Sequence, residues 1–349
     1  MSTNLNNNTT TSISDEFQVD TDIITLTRFI LSTQQKVQHA TGELTLLLNS
    51  LQFAFKFIAN NIRKAELVNL IGLAGASNST GDAQKKLDVI GDEIFINAMK
   101  GSGNVKVLVS EEQEDLIVFE GEGNYAVVCD PIDGSSNLDA GVSVGTIFGV
   151  YKLLPGSKGS IKDVLRPGTE MVAAGYTMYG ASAHLMLTTG QGVNGFTLDS
   201  SLGEFILTHP NLKINDNNKQ IFSVNEGNTI YWDAKIQKFF QDLKKPQIET
   251  GLPYSARYIG SMVADVHRTL LYGGLFSYPA DSKSKNGKLR ILYECFPMAF
   301  LLEQAGGKAV TDSGERILEL IPKAIHDRSG IWLGSIIEVD KYLKAIGKL

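Results

Sequence analysis

The chain predicts a mixed α/β protein on three observations. Apolar strand-like runs follow one another closely over residues 105–154, and two of them, VKVLVS and YAVVC, finish on carboxylates. Amphipathic helical patterns lie before and after them. Such an order buries a sheet beneath helices and leaves the strand ends to carry a site.

At 349 residues the chain has room for about two domains of ~150 residues. Its 43% hydrophobic and 20% charged residues suffice for an ordinary core. Thirty-two basic residues against 38 acidic give a net charge of −6. That balance excludes a general nucleic-acid or anionic-membrane binder. Two cysteines, Cys129 and Cys295, are too few for a disulfide framework and indicate a reducing compartment. The opening MSTNLNNNTTTSISDEF has neither the basic nor the apolar stretch of a secretory signal. No run approaches the ~18 apolar residues of a membrane span. The expectation is a soluble, cytoplasmic protein.

Taken in order, residues 1–18 are rich in Asn, Thr and Ser and predict a disordered tail. Leu44, Leu47, Leu48, Leu51, Phe55, Ile58 and Ile62 recur at helical spacing, with Thr41 as candidate N-cap and Glu43 in the first turn. The free N–H groups of that helix start also suit an anion, so capping and phosphate binding both stand as readings. The Gly/Ala/Ser-rich stretch 70–86 predicts a flexible loop, and a short helix follows over 89–99. Strands are expected at 105–109, in YAVVC and in VSVGTIFGVYKLL, then, after a loop over 155–168, at 171–179, 183–188 and 195–198. The polar run HPNLKINDNNKQ marks the best boundary, dividing an N-terminal domain, 19–210, from a C-terminal one, 211–349. Beyond it, SMVADVHRTLLYGG and LYECFPMAFLLEQAGG read as helices.

The chemistry lies in acids at strand ends: Asp82, Asp88, Glu111, Glu112, Asp130, Asp133 and, later, Glu294. Carboxylates without His or Cys partners are ligands for hard cations. The cysteines lack zinc spacing, and two acids three apart do not make an EF-hand loop. Any one of these acids could be a solvated surface group. Held together behind buried strands, they would repel unless a cation intervened, and a metal site is the stronger reading. In CDPIDGSSN, Pro131 stiffens the turn between Asp130 and Asp133, and Gly134 lets the backbone approach a ligand. Ser135, Ser136 and Asn137 follow where exposed N–H groups would bind an oxyanion. A cation beside an anion nest suits phosphate-ester hydrolysis.

DPIDGSSN resembles the shared motif of the magnesium-dependent, lithium-sensitive sugar and inositol phosphatases. DTDIITLTRF, TGELTLLLNSL, KKLDV, LVSEE, VSVGTIFGVY, VAAGYTMYG, GEFIL, ARYIGSMVADVHRTLLYGG and NGKLRILYECFPMA resemble, more specifically, the class I, eukaryotic-type fructose-1,6-bisphosphatase family. The resemblance runs in order through nearly all of the chain after the tail.

It implies a layered α-β-α-β-α sandwich with mixed sheets, the sugar phosphatase fold. The implied activity is hydrolysis of the 1-phosphate of fructose 1,6-bisphosphate by an activated water, a step of gluconeogenesis. Implied ligands for Mg²⁺, with Mn²⁺ able to substitute, are Asp82, Glu111, Asp130, Asp133, Glu294 and the carbonyl of Ile132. Glu112 and Asp88 would activate the water. Substrate contacts would fall on Asp133, Gly134, Ser135, Ser136, Asn225, Tyr258, Tyr278, Lys288, Leu289 and Arg290. Arg257 would reach into a neighbouring subunit of a homotetramer. An inhibitory AMP site would use Thr41, Gly42, Glu43, Leu44, Thr45, Tyr125 and Lys152.

The residue chemistry agrees that a bisphosphate needs a second anchor, and Arg257, Tyr258, Tyr278 and Lys288 supply cations and hydroxyls for one. His267 and Cys295 read as packing residues. Asn124 stands where the family commonly has Lys, and Lys152 where it has Arg, so AMP is expected to inhibit less tightly than usual. Asn228 replaces a usual tyrosine phosphate contact. The rival readings are a sedoheptulose-1,7-bisphosphatase and a catalytically silent sugar-phosphate sensor; intact acids speak against the second.

Overall fold

The computed structural model describes residues 22–65, 67, 70, 73–77, 83–214 and 219–349. The expected tail, 1–18, and the expected ligand Asp82 lie outside the described residues.

Helix α1 (Leu26–Gln34) starts at Thr25, whose hydroxyl accepts the Arg28 N–H. Helix α2 (Glu43–Ile62) corrects the expected cap: Gly42, in the left-handed region at φ +86°, is its N-cap, and no side chain caps it. Glycine holds that conformation without the steric penalty a threonine would meet. Within the 70–86 stretch, expected as a flexible loop, the described residues include two strands that pair antiparallel, β1 (Leu73–Ser77) and β2 (Ala83–Lys85). Small side chains left no periodicity to read there, yet the backbone still pairs. Helix α3 (Lys86–Ser102) extends beyond the expected 89–99 at both ends, and the Asp88 carboxylate in its first turn accepts the Lys85 N–H at 2.7 Å.

The main sheet contains β3 (Val105–Ser110), β4 (Ile117–Val118), β5 (Tyr125–Asp133), β6 (Val144–Lys152), β7 (Met171–Tyr179), β8 (Ala183–Thr188), β9 (Val193–Asp199) and β10 (Glu204–Leu212). Its order is β10-β9-β8-β7-β6-β5-β3-β4. Only β3 and β5 run parallel. The expected boundary at residues 209–220 begins inside β10, which continues to Leu212.

A second sheet orders β12 (Ser255–Ala256), β11 (Ile221–Ser223), β13 (Leu275–Tyr278), β17 (Ile331–Gly334) and β15 (Lys308–Val310). A separate pair joins β14 (Leu289–Arg290) to β16 (Arg328–Ser329). The remaining helices are α4 (Ala234–Leu243), α5 (Met262–Tyr272), α6 (Phe296–Gln304) and α7 (Ile336–Ala345). No helix among the described residues is long and apolar enough to cross a membrane.

Strand alternation explains the layering. On β5, Val127 and Cys129 pack with Leu47, Leu51 and Phe55 of α2 and Phe95 of α3. Ala126 and Val128 face the other way, toward Val266 of α5, Met298 of α6, and Phe276 and Leu333 of the second sheet. With both faces covered, YAVVC reads as one unbroken apolar run. The far side of the second sheet packs Phe222 and Trp332 against Phe239 and Phe240 of α4 and Tyr342 of α7. The Trp332 and Tyr342 rings stack at 3.6 Å. The result is the expected α-β-α-β-α sandwich.

Candidate active site

Parallel pairing sets Ser110 of β3 beside Cys129 of β5, so Glu111, just past the end of β3, comes beside Asp130, which stays in β5. The Glu111 N–H donates to the Cys129 carbonyl at 3.1 Å. Strand β5 pairs regularly with β6 as far as Asp130 opposite Ile147. The register then shifts before Asp133 meets Gly145. Pro131 and Ile132 make that irregularity. The Thr146 hydroxyl donates to the Pro131 carbonyl at 2.7 Å, and the Ile132 N–H donates to Asp130 Oδ1 at 3.1 Å. Gly145 admits α5 closely, because a Cβ there would lie 2.6 Å from Val263. The approach lets the Val263 N–H donate to Asp133 Oδ2 at 3.0 Å.

Glu294 arrives from a short π-helical turn, Ile291–Cys295, ahead of α6. Its Oε2 accepts the Arg290 N–H at 2.6 Å. The Arg290 guanidinium pairs with Glu111 Oε1 at 2.5 Å and lies 3.7 Å from Glu294 Oε2. Asp130, Asp133 and Glu294, all buried, each present an oxygen within 4.8 Å of the others.

Burial, then the charges of Glu111, Asp133 and Glu294, push the Asp130 carboxyl well above its ordinary range. Burial raises Glu294 to about 8 against the pull of Arg290, with Glu111 and Asp133 repelling it further. Asp133 rises to about 6 by burial, opposed by the Val263 N–H. Asp88, also raised to about 6 by burial, has one oxygen on the Lys85 N–H. Its buried Oδ1 has no hydrogen-bond partner among the described residues. Clustered oxygen donors that resist ionising together fit a hard divalent cation.

These acids open into one cavity of about 580 Å³, lined also by Glu112, Ile132, Gly134, Ser135, Ser136, Asn225, Tyr258, Tyr278, Lys288, Leu289 and Arg290. In the same cavity, the Lys288 ammonium sits 5.9 Å from the Tyr278 ring centre. Arg257 does not line the cavity; it is exposed and donates to the Ala256 carbonyl.

The cavity also holds residues that sequence reasoning missed: Lys85, Gly260, Met262 and Phe276. Asp265 was missed as well. It is fully buried on α5 and accepts from Ser223 Oγ at 2.7 Å, from the Ile259 N–H, from the Gly260 N–H at 3.0 Å and from Arg268 Nη2 at 2.8 Å. An acid in the first turn of a predicted helix was the available signal, but it carried no hint of the loop it holds.

A second cavity, of about 520 Å³, is lined by Thr41, Gly42, Glu43, Leu44, Thr45, Asn124, Tyr125 and Lys152. There the Asn124 amide donates to both Glu43 carboxylate oxygens at 2.9 and 3.0 Å. His267 meets the Tyr176 hydroxyl at 3.0 Å, and Cys295 is wholly buried; neither lines the acidic cavity.

Residues 24–210 match the family described as "Fructose-1-6-bisphosphatase, N-terminal domain", and residues 215–347 match "Fructose-1-6-bisphosphatase, C-terminal domain". Fructose-1,6-bisphosphatase of Saccharomyces cerevisiae is 69% identical over 331 residues, covering 94% of this chain and 95% of the relative. Cytosolic fructose-1,6-bisphosphatase of Arabidopsis thaliana is 55% identical over 329 residues, 93% and 95% of the two chains. The crystal structure of Leishmania major fructose-1,6-bisphosphatase in holo form has a TM-score of 0.87 at 45% identity, covering 93% and 99%. Since matches of this extent take in both ends of the acidic cavity, the chain belongs to the fructose-1,6-bisphosphatase family.

Proposed function

We propose that this protein hydrolyses the 1-phosphate of fructose 1,6-bisphosphate, yielding fructose 6-phosphate and phosphate. One observation carries the reading: a buried carboxylate cluster and a Lys/Tyr/Asn anchor share a single cavity, as a sugar bearing two phosphates requires. Asp130, Asp133, Glu294 and Glu111, with Asp82 and the Ile132 carbonyl, would hold Mg²⁺, or Mn²⁺ in its place. When bound, the cation would supply positive charge to the phosphoryl oxygens and lower the pKa of the attacking water.

The chain's own residues supply the rest. Glu112 and Asp88 take the proton from that water. Asp88, raised to about 6, is ionised at neutral pH yet more basic than an ordinary aspartate. Asp133 and the Gly134, Ser135 and Ser136 turn orient the reacting phosphate. Asn225, Tyr258, Tyr278 and Lys288 hold the other, with Leu289 and Arg290 as further substrate contacts in the same cavity. Placement of this kind makes attack effectively intramolecular.

The family matches at 24–210 and 215–347 support a division into an N-terminal part with most metal ligands and a C-terminal part with the sugar anchor. Exposed Arg257 fits a role in a neighbouring subunit's cavity, within a homotetramer. AMP would bind in the second cavity as an inhibitor, weakly, because Asn124 and Lys152 supply less phosphate-directed charge than Lys and Arg would. The "cytosolic" in the Arabidopsis relative's name supports the same compartment here.

Phosphate release from fructose 1,6-bisphosphate, sedoheptulose 1,7-bisphosphate and inositol 1-phosphate, with Mg²⁺ and with a chelator, tests the reading. Fructose 1,6-bisphosphate should turn over fastest and only with the cation. A faster sedoheptulose reaction, or turnover indifferent to chelation, overturns it. Glu112→Gln should lower turnover by about 10²-fold or more while substrate still binds; full turnover would remove Glu112 from its role.

A further inference from the structure

We infer that His326 is a positioning residue for this reaction: it moors the turn carrying Glu111 and Glu112 to the segment carrying Glu294. The inference rests on the roles proposed above for those acids. His326 does not line the cavity, so it acts through the backbone and not on the substrate.

One imidazole joins two segments far apart in the chain. His326 Nε2 lies 3.1 Å from the Gln113 carbonyl and 3.3 Å from the Glu114 carbonyl. His326 Nδ1 lies 2.6 Å from the Tyr293 hydroxyl. Backbone carbonyls only accept, so Nε2 carries the proton, and in the neutral ring Nδ1 accepts the Tyr293 O–H. The two rings also meet edge to face, 5.8 Å apart at 72°. The imidazole therefore ties the residue after Glu112 to the residue before Glu294.

The turn needs such a tie. After β3 the chain runs Glu111, Glu112, Gln113, Glu114, Asp115; Glu111 and Glu112 line the cavity with Asp130 and Glu294, while Glu114 and Asp115 are exposed. Gln113 is held from the other side by its amide, which donates to Asp92 Oδ2 at 2.5 Å, and Ser110 donates to Asp92 Oδ1 at 2.6 Å. Those bonds fix a side chain and the strand end. His326 fixes the carbonyls of the turn itself. Supporting groups of this kind usually change cation affinity or turnover by about 10- to 100-fold when lost.

Two substitutions separate mooring from mere packing. The Gln side chain in His326→Gln can carry an amide donor to the place of Nε2. The shorter side chain in His326→Asn ends near Nδ1 and cannot reach the turn. Expected for His326→Asn is a kcat about tenfold or more below wild type with KM within about twofold. His326→Gln should recover most of that loss. Without substrate, hydrogen exchange at the Glu111 and Gln113 amides, bonded to the Cys129 and Ser110 carbonyls, should quicken about tenfold in His326→Asn and much less in His326→Gln. Melting temperatures of both variants are measured alongside. Wild-type kcat and exchange in His326→Asn overturn the inference, as do equal losses in both variants that follow melting temperature alone. If wild type releases no phosphate from fructose 1,6-bisphosphate, the functional reading falls, and the exchange difference still decides the mooring.

Discussion

Replacing Asp265 with Asn changes almost no volume and tests how the segment that carries Tyr258 and Gly260 into the cavity is held. The carboxylate takes two backbone N–H groups, a serine hydroxyl and a guanidinium, and is itself fully buried. An amide in its place has one oxygen. If that oxygen serves Ser223, Ile259 and Arg268, its NH₂ faces the Gly260 N–H; turned over, the oxygen serves Ile259 and Gly260 and the NH₂ faces Arg268. Either way at least one buried donor is stranded, at about 1–3 kcal/mol. Losing the charge opposite Arg268 adds to this, less than the roughly 3–5 kcal/mol of a fully buried pair, because Arg268 also donates to the Arg257 carbonyl. A total of about 2–4 kcal/mol corresponds, for a chain of 349 residues, to a fall in Tm of roughly 3–6 °C.

The same loss loosens the segment that presents Tyr258 and Gly260 to the cavity. Re-ordering about two such groups on binding costs roughly 1–2 kcal/mol, a KM about 5- to 30-fold higher. Turnover should stay within about threefold, since none of the clustered carboxylates bonds to Asp265. Initial rates and melting curves read both effects. Wild-type KM beside a lowered Tm would show that Asp265 holds the fold without ordering the loop, and wild-type values for both would refute the hydrogen-bond accounting.

His267, drawn down to about 3 by burial with His184 and His209 nearby, refuses a proton that the unfolded chain accepts near pH 6.5. The unfolded state binds more protons between those values, so stability is complete above about pH 6.5 and drains as pH falls toward 3. The His267 contribution to that loss is about 2 kcal/mol at roughly pH 5. Urea unfolding of wild type and His267→Gln should show a shallower acid slope in the variant, and equal slopes would exclude His267 as the source. Asn124→Lys adds a cation beside Glu43 in the second cavity, so the AMP concentration for half-inhibition should fall about tenfold; an unmoved titration would take position 124 out of nucleotide binding. Gly287 sits at φ +81° with space for no Cβ, which would lie 2.1 Å from the Ser329 carbonyl carbon. Gly287→Ala should therefore cost more than about 2 kcal/mol and lower the yield of folded protein; a Tm within about 2 °C of wild type would contradict the geometry.

The legible parts of the fold were those with a strong period. Helix α2 carries an apolar stripe on every turn, and β3, β5 and β6 are apolar over most of their length because helices and the second sheet cover both faces. Where side chains are small, as in β1, or where a strand alternates half-buried with exposed residues, as at the end of β10, composition resembles that of a loop. The hydrogen bonds that order those stretches are made by backbone, which composition does not record. The cap of α2 was misread for a related reason. Thr41 is the better capping side chain, but the chain's path needs a left-handed residue at the next position, and Gly42 takes it.

Within the cavity, the acids were legible because strand ends hold them. Parallel pairing alone brings Glu111 beside Asp130, and two runs ending in carboxylates already implied as much. Asp265 and His326 were not, because each works by receiving or donating to particular backbone groups many residues away. Arg290 shows the deeper difficulty. In sequence it closes KSKNGKLR, a basic stretch that suggests a solvated loop. The β14–β16 pair and the π-helical turn after it fold that arginine inward, to 6% exposure, between Glu111 and Glu294. A guanidinium there offsets part of the repulsion that raises the Glu294 and Asp133 carboxyls, and does so before any cation or substrate arrives. The acid cluster is thus eased by a residue drawn from the C-terminal part of the chain, which ties the stability of the carboxylate cluster to the segment proposed above to anchor the second phosphate.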